Sequence, residues 1–456
     1  MFRHKSAQKK WKKRPLSISR LMALVFLALI FLGAVLLNLP LASRDGRSIG
    51  FMSALFTATS ATCVTGLTVV DTWTQWSPFG QCTILGLIEI GGLGFMSVAF
   101  VVFATLRRKI SIQQQMVMAE AIGATSQRDI LAIWKSLLIR AVALEGIGAV
   151  ILTLRFLQEY SFPVSLRLGV FHSISAFCNA GFDILGFRGA GESMITYQRD
   201  PVILLTLSAL IILGGLGFLV WDEVLRERNP RKWSVYTRLV LMTTGVLLFG
   251  GMALFCLLEW ENPGTLGSMN AGEKLLAAFF QSATLRTAGF AGLSQEALTS
   301  GGKAFSIFLM LIGGSSGSTA GGMKTVTFVV LFLFLWNRIR GRYTVSVFNR
   351  TISDDHVLNA ITIFILMVTL AFFGGAMIAG TCHLEFTDSL YEAMSAIGTV
   401  GLSAGITSKL KLPARVMIMV FMYFGRVGVL TISFGFLKKK PAGENYRYAR
   451  TELLIG

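Results

Sequence analysis

Charge is what this sequence has least of. Only 14% of its 456 residues are Asp, Glu, Lys or Arg, and 53% are apolar; an ordinary soluble domain carries roughly a quarter charged residues. Histidine is scarce too, and His4, His172, His356 and His383 are scattered. There is no H-E-x-x-H, no nucleophile elbow and no pair of carboxylates at catalytic spacing, so no enzyme is read here. The five cysteines (Cys63, Cys82, Cys178, Cys256, Cys382) include no C-x-x-C pair. Their odd number makes neither a closed disulfide set nor a metal site. The charge that is present is one-sided, with a net of +18. It collects in Arg107/Arg108/Lys109, Arg226/Arg228/Arg231/Lys232, Arg338/Arg340/Arg342 and Lys438/Lys439/Lys440, at alternate ends of apolar runs. That is the positive-inside pattern of a membrane protein, with both termini cytoplasmic, and it leaves no call for nucleic acid as a partner.

Long uncharged runs fill the space between the clusters. Leu21–Ser43, Pro201–Trp221, Leu239–Leu258 and Val357–Cys382 hold no charged residue, and each is close to the ~20 residues that cross a hydrocarbon core. Pro78–Leu106 holds only Glu89, and Val416–Leu437 only Arg426. The basic first twenty residues resemble the start of a signal peptide. However, the apolar run that follows is too long and lacks an A-x-A cleavage site, so it reads as an uncleaved span behind a cytoplasmic tail.

The same grammar returns four times. A long apolar run is followed by a short Ser/Thr/Ala-rich one ending in Gly, then by a second long run. The short runs contain Ser60-Ala61, Ser175-Ala176, Ser282-Ala283 and Ser395-Ala396, and they end at Gly66, Gly181, Gly289 and Gly401. Spacings of 181−66 = 115, 289−181 = 108 and 401−289 = 112 residues mark four related units. Parity sets the topology: two spans per unit return the chain to the basic side. The expected fold is an all-α membrane protein of four parallel helix–pore loop–helix repeats. It has eight transmembrane helices and four re-entrant pore helices around a central pore. The repeats are assigned to 21–106, 136–225, 236–337 and 357–437, between tails at 1–20 and 438–456. Ser389-Leu390-Tyr391-Glu392 and Asn270-Ala271-Gly272-Glu273 read as caps opening the fourth and third half-helices. Half-helix C-termini would then converge on a cavity and favour a cation there.

One glycine per unit, just past a short helix, suits a filter in which backbone carbonyls replace an ion's water. The candidate ion-binding residues are Val64, Thr65 and Gly66, then Asn179, Ala180 and Gly181, then Thr287, Ala288 and Gly289, then Thr399, Val400 and Gly401. The third unit's second run carries Gly313, Gly314, Ser315, Ser316, Gly317, Ser318, Gly321, Gly322 and Lys324. Its five glycines between 313 and 322, each about 1 kcal/mol worse than Ala in a helix, predict a broken span with a loop facing a wet space. Met323 spoils the P-loop spacing that Gly317 and Gly322 would otherwise begin. Arg426 lies twelve residues before Lys438, roughly 18 Å along a helix, too deep to snorkel. It is expected to face the axis and bond carbonyls of that loop. Glu89 and Glu145 read equally as cation relays or as hydrogen-bonded carboxyls, and Arg286 as a brace against an acid. Gly91-Gly92-Leu93-Gly94-Phe95 and Gly214-Gly215-Leu216-Gly217-Phe218 read as helix-packing positions.

Thr399-Val400-Gly401 looks like the start of the TVGYG filter of K⁺ channels. Over its whole length the chain resembles the Trk/Ktr/HKT superfamily of K⁺ transporters, most of all the membrane subunit of bacterial Ktr systems. The resemblance implies K⁺ uptake across the cell membrane, with a filter glycine in each repeat at Gly66, Gly181, Gly289 and Gly401. It also implies an intramembrane gating loop with Arg426 as part of the gate. It implies a homodimer resting on a cytosolic ring of regulatory subunits, and that ring, not this chain, would carry the nucleotide. No cofactor is expected in the chain itself; K⁺ is the cargo, with Na⁺ dependence left open, and lipid is the surrounding partner. The alternative is a Na⁺- or H⁺-coupled symporter of the same fold, which inverted repeats would favour and parallel ones do not.

Overall fold

A computed structural model of the chain describes residues 18–94, 130–189, 191, 193–342 and 344–428. Most of the basic N-terminal tail, residues 95–106 and 429–437, the clusters at 107–109 and 438–440 and the tail 438–456 lie outside the described residues. In chain order the first stretch holds α1 (Ile18–Leu37), α2 (Phe51–Thr62), α3 (Thr72–Gln75) and α4 (Pro78–Leu93). The second holds α5 (Ile130–Phe156), α6 (Phe162–Phe177), α7 (Pro201–Leu216) and α8 (Phe218–Arg226). The third holds α9 (Val235–Glu259), α10 (Ala271–Thr284), α11 (Ser300–Leu311) and α12 (Thr325–Ile339). The fourth holds α13 (Asp354–Cys382), α14 (Phe386–Ile397) and α15 (Leu412–Val427). A two-stranded hairpin, Ser346–Val347 with Arg350–Thr351, links α12 to α13.

Among the described residues, Lys135–Phe156, Val235–Glu259 and Asp354–Cys382 are long and apolar enough to cross a bilayer. Each turns large apolar side chains outward, among them Val142 and Leu154, Val246 and Phe249, and Ile365 and Phe373. The chain is a membrane protein.

Local chemistry starts and stops these helices. Pro78, Pro201 and Pro413 stand in the first turns of α4, α7 and α15, where a missing N–H costs nothing. The side chains of Ser77 and Asp200 cap α4 and α7. Asn270 and Glu273 form the expected reciprocal capping box on α10. The cap expected at Ser389–Glu392 is not formed. α14 begins a turn earlier with Glu385 at its N-cap, Ser389 Oγ donates to Glu385 O (2.8 Å), and Glu392 lies inside the helix. The Ser-x-x-Glu spacing fits a mid-helix pair as readily as a cap.

The second helices are also not the uninterrupted runs the hydropathy suggests. α4, α7 and α15 stop at Gly94, Gly217 and Gly428, with φ of +81°, +87° and +92°, a region open to glycine. At Gly217 the chain turns by 94° into α8. In the third stretch the interruption is the expected loop between α11 and α12.

Packing closes these parts into a ring. Each long helix lies along the short helix that follows it: α1 on α2, α5 on α6, α9 on α10, α13 on α14. The next helix reaches onward, α4 to α6, α7 to α10 and α11 to α14, and α15 returns to α2.

Candidate functional site

The four candidate segments meet at the centre of that ring. Thr65 N–H donates to Ser60 O, Ala180 to Ser175 O and Val400 to Ser395 O, each at 2.8 Å, while Ala288 donates to Thr284 O at 2.9 Å. These bonds fold each segment back against the C-terminal end of its short helix. Val64, Asn179, Thr287 and Thr399 then take φ of +54°, +58°, +69° and +51°, and Gly66, Gly181, Gly289 and Gly401 take +98°, +67°, +84° and +93°. The same two positions in every segment adopt the left-handed region, which costs a side-chain-bearing residue about 1–2 kcal/mol. Recurrence of that strain in four segments of only weakly similar sequence marks a shared geometry.

The glycines interlock. A Cβ built on Gly66 would stand 2.6 Å from Ala180 O, one on Gly181 2.6 Å from Ala288 O, one on Gly289 2.5 Å from Val400 O, and one on Gly401 2.0 Å from Thr65 O. Each glycine is thus packed against the carbonyl that precedes the next glycine, and the fourth closes on the first. No side chain fits in this ring. A cavity of about 410 Å³ opens above it, lined by the four glycines together with Asp71, Asp183, Ser403 and Thr407.

Hydroxyls hold the segments from behind. Ser60 Oγ accepts Gly66 N–H (3.1 Å), Ser395 Oγ accepts Gly401 N–H (3.0 Å), and Ser175 Oγ donates to Phe182 O (2.7 Å). In the third segment the serine of the motif does something else. Ser282 Oγ donates to Leu247 O and Leu248 O on α9, and Thr284 Oγ1 bonds Phe290 O (2.9 Å) in its place. Thr284 stands five residues before its glycine (289−284 = 5) where the serines stand six before theirs, a substitution the sequence motif concealed.

Beneath the ring the residues 312–324 form a closed loop. Gly313 N–H donates to Met323 O (2.8 Å) and Thr325 N–H to Gly314 O (3.0 Å). The loop touches several stretches at once. Thr319 Oγ1 donates to Phe177 O (3.0 Å) at the end of α6, Ser315 N–H to Gly215 O (2.9 Å), and Tyr236 OH to Ser316 O (2.9 Å). A Cβ on Gly321 would lie 2.0 Å from Thr399 Oγ1, so the loop lies directly against the fourth segment. Arg426, partly buried, donates to Thr319 O on the loop and to Gly91 O and Gly92 O (2.8 Å) on α4. Lys324 Nζ bonds Ala320 O (2.8 Å) within the loop. The expected contact between Arg426 and a loop carbonyl is therefore present. Its partners Thr319, Gly91 and Gly92 were not among the candidates.

Other expectations fare differently. Gly91, Gly214 and Gly425 do permit close packing: a Cβ on each would fall about 2 Å from the last carbonyls of α2, α6 and α14, at Thr62 (2.1 Å), Phe177 (2.0 Å) and Ile397 (2.2 Å). The glycine three residues later breaks the helix, so the repeated motif serves both ends. The recurring G-x-x-G of Gly91/Gly94, Gly214/Gly217 and Gly425/Gly428 carried that signal. Arg286 meets no acid among the described residues; its guanidinium reaches Thr244 Oγ1 (3.5 Å). Glu89 and Glu145 come together at the Cys178 thiol, at 3.5 and 3.9 Å, beside the second segment and off the ring.

Comparison with known proteins finds relatives over nearly the whole chain. The TrkH model, described as a cation transport protein, matches residues 6–448. The potassium/sodium uptake protein NtpJ of Enterococcus hirae is 39% identical, over 98% of this chain and 99% of its own length. The Ktr system potassium uptake protein B of Bacillus subtilis is 37% identical over 96% of both chains. The crystal structure of the potassium transporter TrkH from Vibrio parahaemolyticus superposes with a TM-score of 0.71 at 18% identity, over 94% of this chain and 86% of that one; at that identity the likeness is one of fold.

Proposed function

The chain belongs to the TrkH family of cation transport proteins, transporters and not enzymes, and from that premise we propose that it takes up K⁺ through a single pore. The pore is built from four helix–pore loop–helix repeats, with eight spans and α2, α6, α10 and α14 as the re-entrant helices. The observation that carries this reading is the closed ring in which each of Gly66, Gly181, Gly289 and Gly401 packs on its neighbour's carbonyl. Residues 64–66, 179–181, 287–289 and 399–401 form the filter, whose carbonyls take the place of the ion's water. Residues 313–324 form the gate, which Arg426 holds closed under the filter. Both termini face the cytoplasm, in line with the basic clusters. The working assembly is a homodimer on a cytosolic nucleotide-binding ring, in keeping with a relative that is a component of a Ktr system. One relative is a potassium/sodium uptake protein, so Na⁺ remains the second cargo to measure.

The test is K⁺ uptake in cells lacking their own K⁺ transporters, with the native chain and with Gly401→Ser, the regulatory partner supplied. The native chain restores growth at low K⁺, and the serine, at φ +93° and against Thr65 O, abolishes uptake or admits Na⁺. Unchanged uptake by Gly401→Ser would refute the filter assignment.

A further inference from the structure

Glu392 has no capping duty, and its surroundings assign it another. The residue lies nine positions before its filter glycine (401−392 = 9), as His172 does (181−172 = 9). Gln281 lies eight before its own (289−281 = 8), in the segment whose supporting hydroxyl is likewise shifted by one. At this position three of the four helices reach to the chain leaving their filter segments. His172 Nε2 accepts Ile184 N–H (3.4 Å), and Gln281 exchanges hydrogen bonds with Gln295 (2.7 and 3.2 Å). Glu392 accepts Ser403 Oγ–H (2.9 Å) on one carboxylate oxygen and Thr407 Oγ1–H on the other. Thr57, at the same place in the first segment, bonds its own helix at Ser53 O and, among the described residues, nothing beyond it. Three of the four segments are therefore strapped behind, and only the fourth uses a carboxylate.

The carboxylate is wholly buried. Among the described residues it has no Lys or Arg partner, the lysine nearby in the fold, Lys303, being taken by Asp388 (2.7 Å) one turn earlier on α14. A buried carboxylate is tolerated when its lone pairs are filled by good donors, and the two hydroxyls do that. Ser403 and Thr407 also line the cavity above the glycine ring, and Ser403 Oγ in turn accepts Gly405 N–H (3.1 Å). The chain from Thr399 to Thr407 is thus pinned at two points to one helix: at Gly401 by Ser395 Oγ, and at 403–407 by Glu392. Tyr391 OH, next in sequence, bonds Gln295 Oε1 (2.8 Å) and joins this strap to the third segment's.

Building on the uptake reading above, we propose that Glu392 is a positioning residue: through Ser403 and Thr407 it fixes the outer exit of the fourth filter segment and so sets the discrimination between K⁺ and Na⁺. Carbonyls that coordinate an ion select by their number and their freedom to move. A fourth segment loosened at its outer end accommodates the smaller ion more readily. Its two contacts in the ring, Gly401 on Thr65 O and Val400 O on Gly289, lose their fixed spacing at the same time.

The test compares initial K⁺ and Na⁺ uptake by the full chain, co-expressed with its regulatory partner, as native protein, Glu392→Gln, Thr407→Val and the double variant, with membrane content measured for each. Glu392→Gln raises the Na⁺/K⁺ uptake ratio by roughly threefold to tenfold, the scale of one ordinary hydrogen bond. Thr407→Val shifts it the same way by less, and the double variant matches Glu392→Gln alone because both act through one strap. A purely structural role would lower membrane content and leave the ratio unchanged. That result for Glu392→Gln overturns the proposal; if that variant fails to reach the membrane, an unchanged ratio in Thr407→Val overturns it instead. Native chain that takes up no K⁺ would defeat the uptake reading, whereas native uptake with an unmoved ratio in the variants defeats only the strap.

Discussion

Glycine matters here at particular positions. Gly181 sits at φ +67°, with Ala288 O and Gly289 Cα where a Cβ would go (2.6 and 2.7 Å). Gly245, in the middle of α9, has nothing within 4 Å of that point. Gly181→Ala is therefore expected to cut K⁺ uptake about tenfold or more, since left-handed strain of about 1–2 kcal/mol alone approaches the 1.4 kcal/mol of a tenfold change. Gly245→Ala should transport as the native chain does. Equal transport by the two, at equal membrane content, would contradict the ring. The four glycines that meet in the ring were legible in the sequence because four copies end alike, so each copy annotates the others. Glu392 was not, because Ser-x-x-Glu has two structural meanings and only the helix start decides between them. Nor was Thr284, because the Ser-Ala motif aligns Ser282, two residues earlier (284−282 = 2), with the supporting serines.

Helices end here where a backbone can turn, and that decides which elements can move. The loop between α11 and α12 was legible because five glycines in ten residues rule out a continuous helix. The breaks at Gly94, Gly217 and Gly428 were not, because one glycine in an apolar run reads as packing, and the glycine three residues earlier in each motif does pack. The bonds that hold the loop include Thr319 to Phe177 O, Tyr236 to Ser316 O, Ser315 N–H to Gly215 O and the guanidinium of Arg426 to Thr319 O. Arg426 also bridges to Gly91 O and Gly92 O on α4, tying α15, the loop and α4 together. Bonds to a charged group contribute about 1.5–3 kcal/mol each. Arg426→Ala should thus raise the open fraction, increasing initial K⁺ flux several-fold and weakening its dependence on the regulatory partner, while the protein still assembles. Flux and partner dependence identical to the native chain would remove Arg426 from the gate.

Across the whole molecule, segregated charge made the membrane class readable from sequence, and four evenly spaced motifs pointed to the four segments that meet in the ring. How the units close on one another was not readable, because it depends on contacts such as α15 with α2 and Gly401 with Thr65 O that lie hundreds of residues apart. That closure turns four weakly similar segments into one site on one axis, and it underlies the central claim that a monovalent cation passes through the glycine ring. The most direct test is anomalous diffraction from crystals of the protein grown in Rb⁺ as a K⁺ substitute. The account predicts an anomalous peak on the axis at the ring of Gly66, Gly181, Gly289 and Gly401, absent from Gly401→Ser crystals grown in the same way. Peaks confined to other places, such as the Glu89–Glu145–Cys178 cluster, with none at the ring, would contradict it.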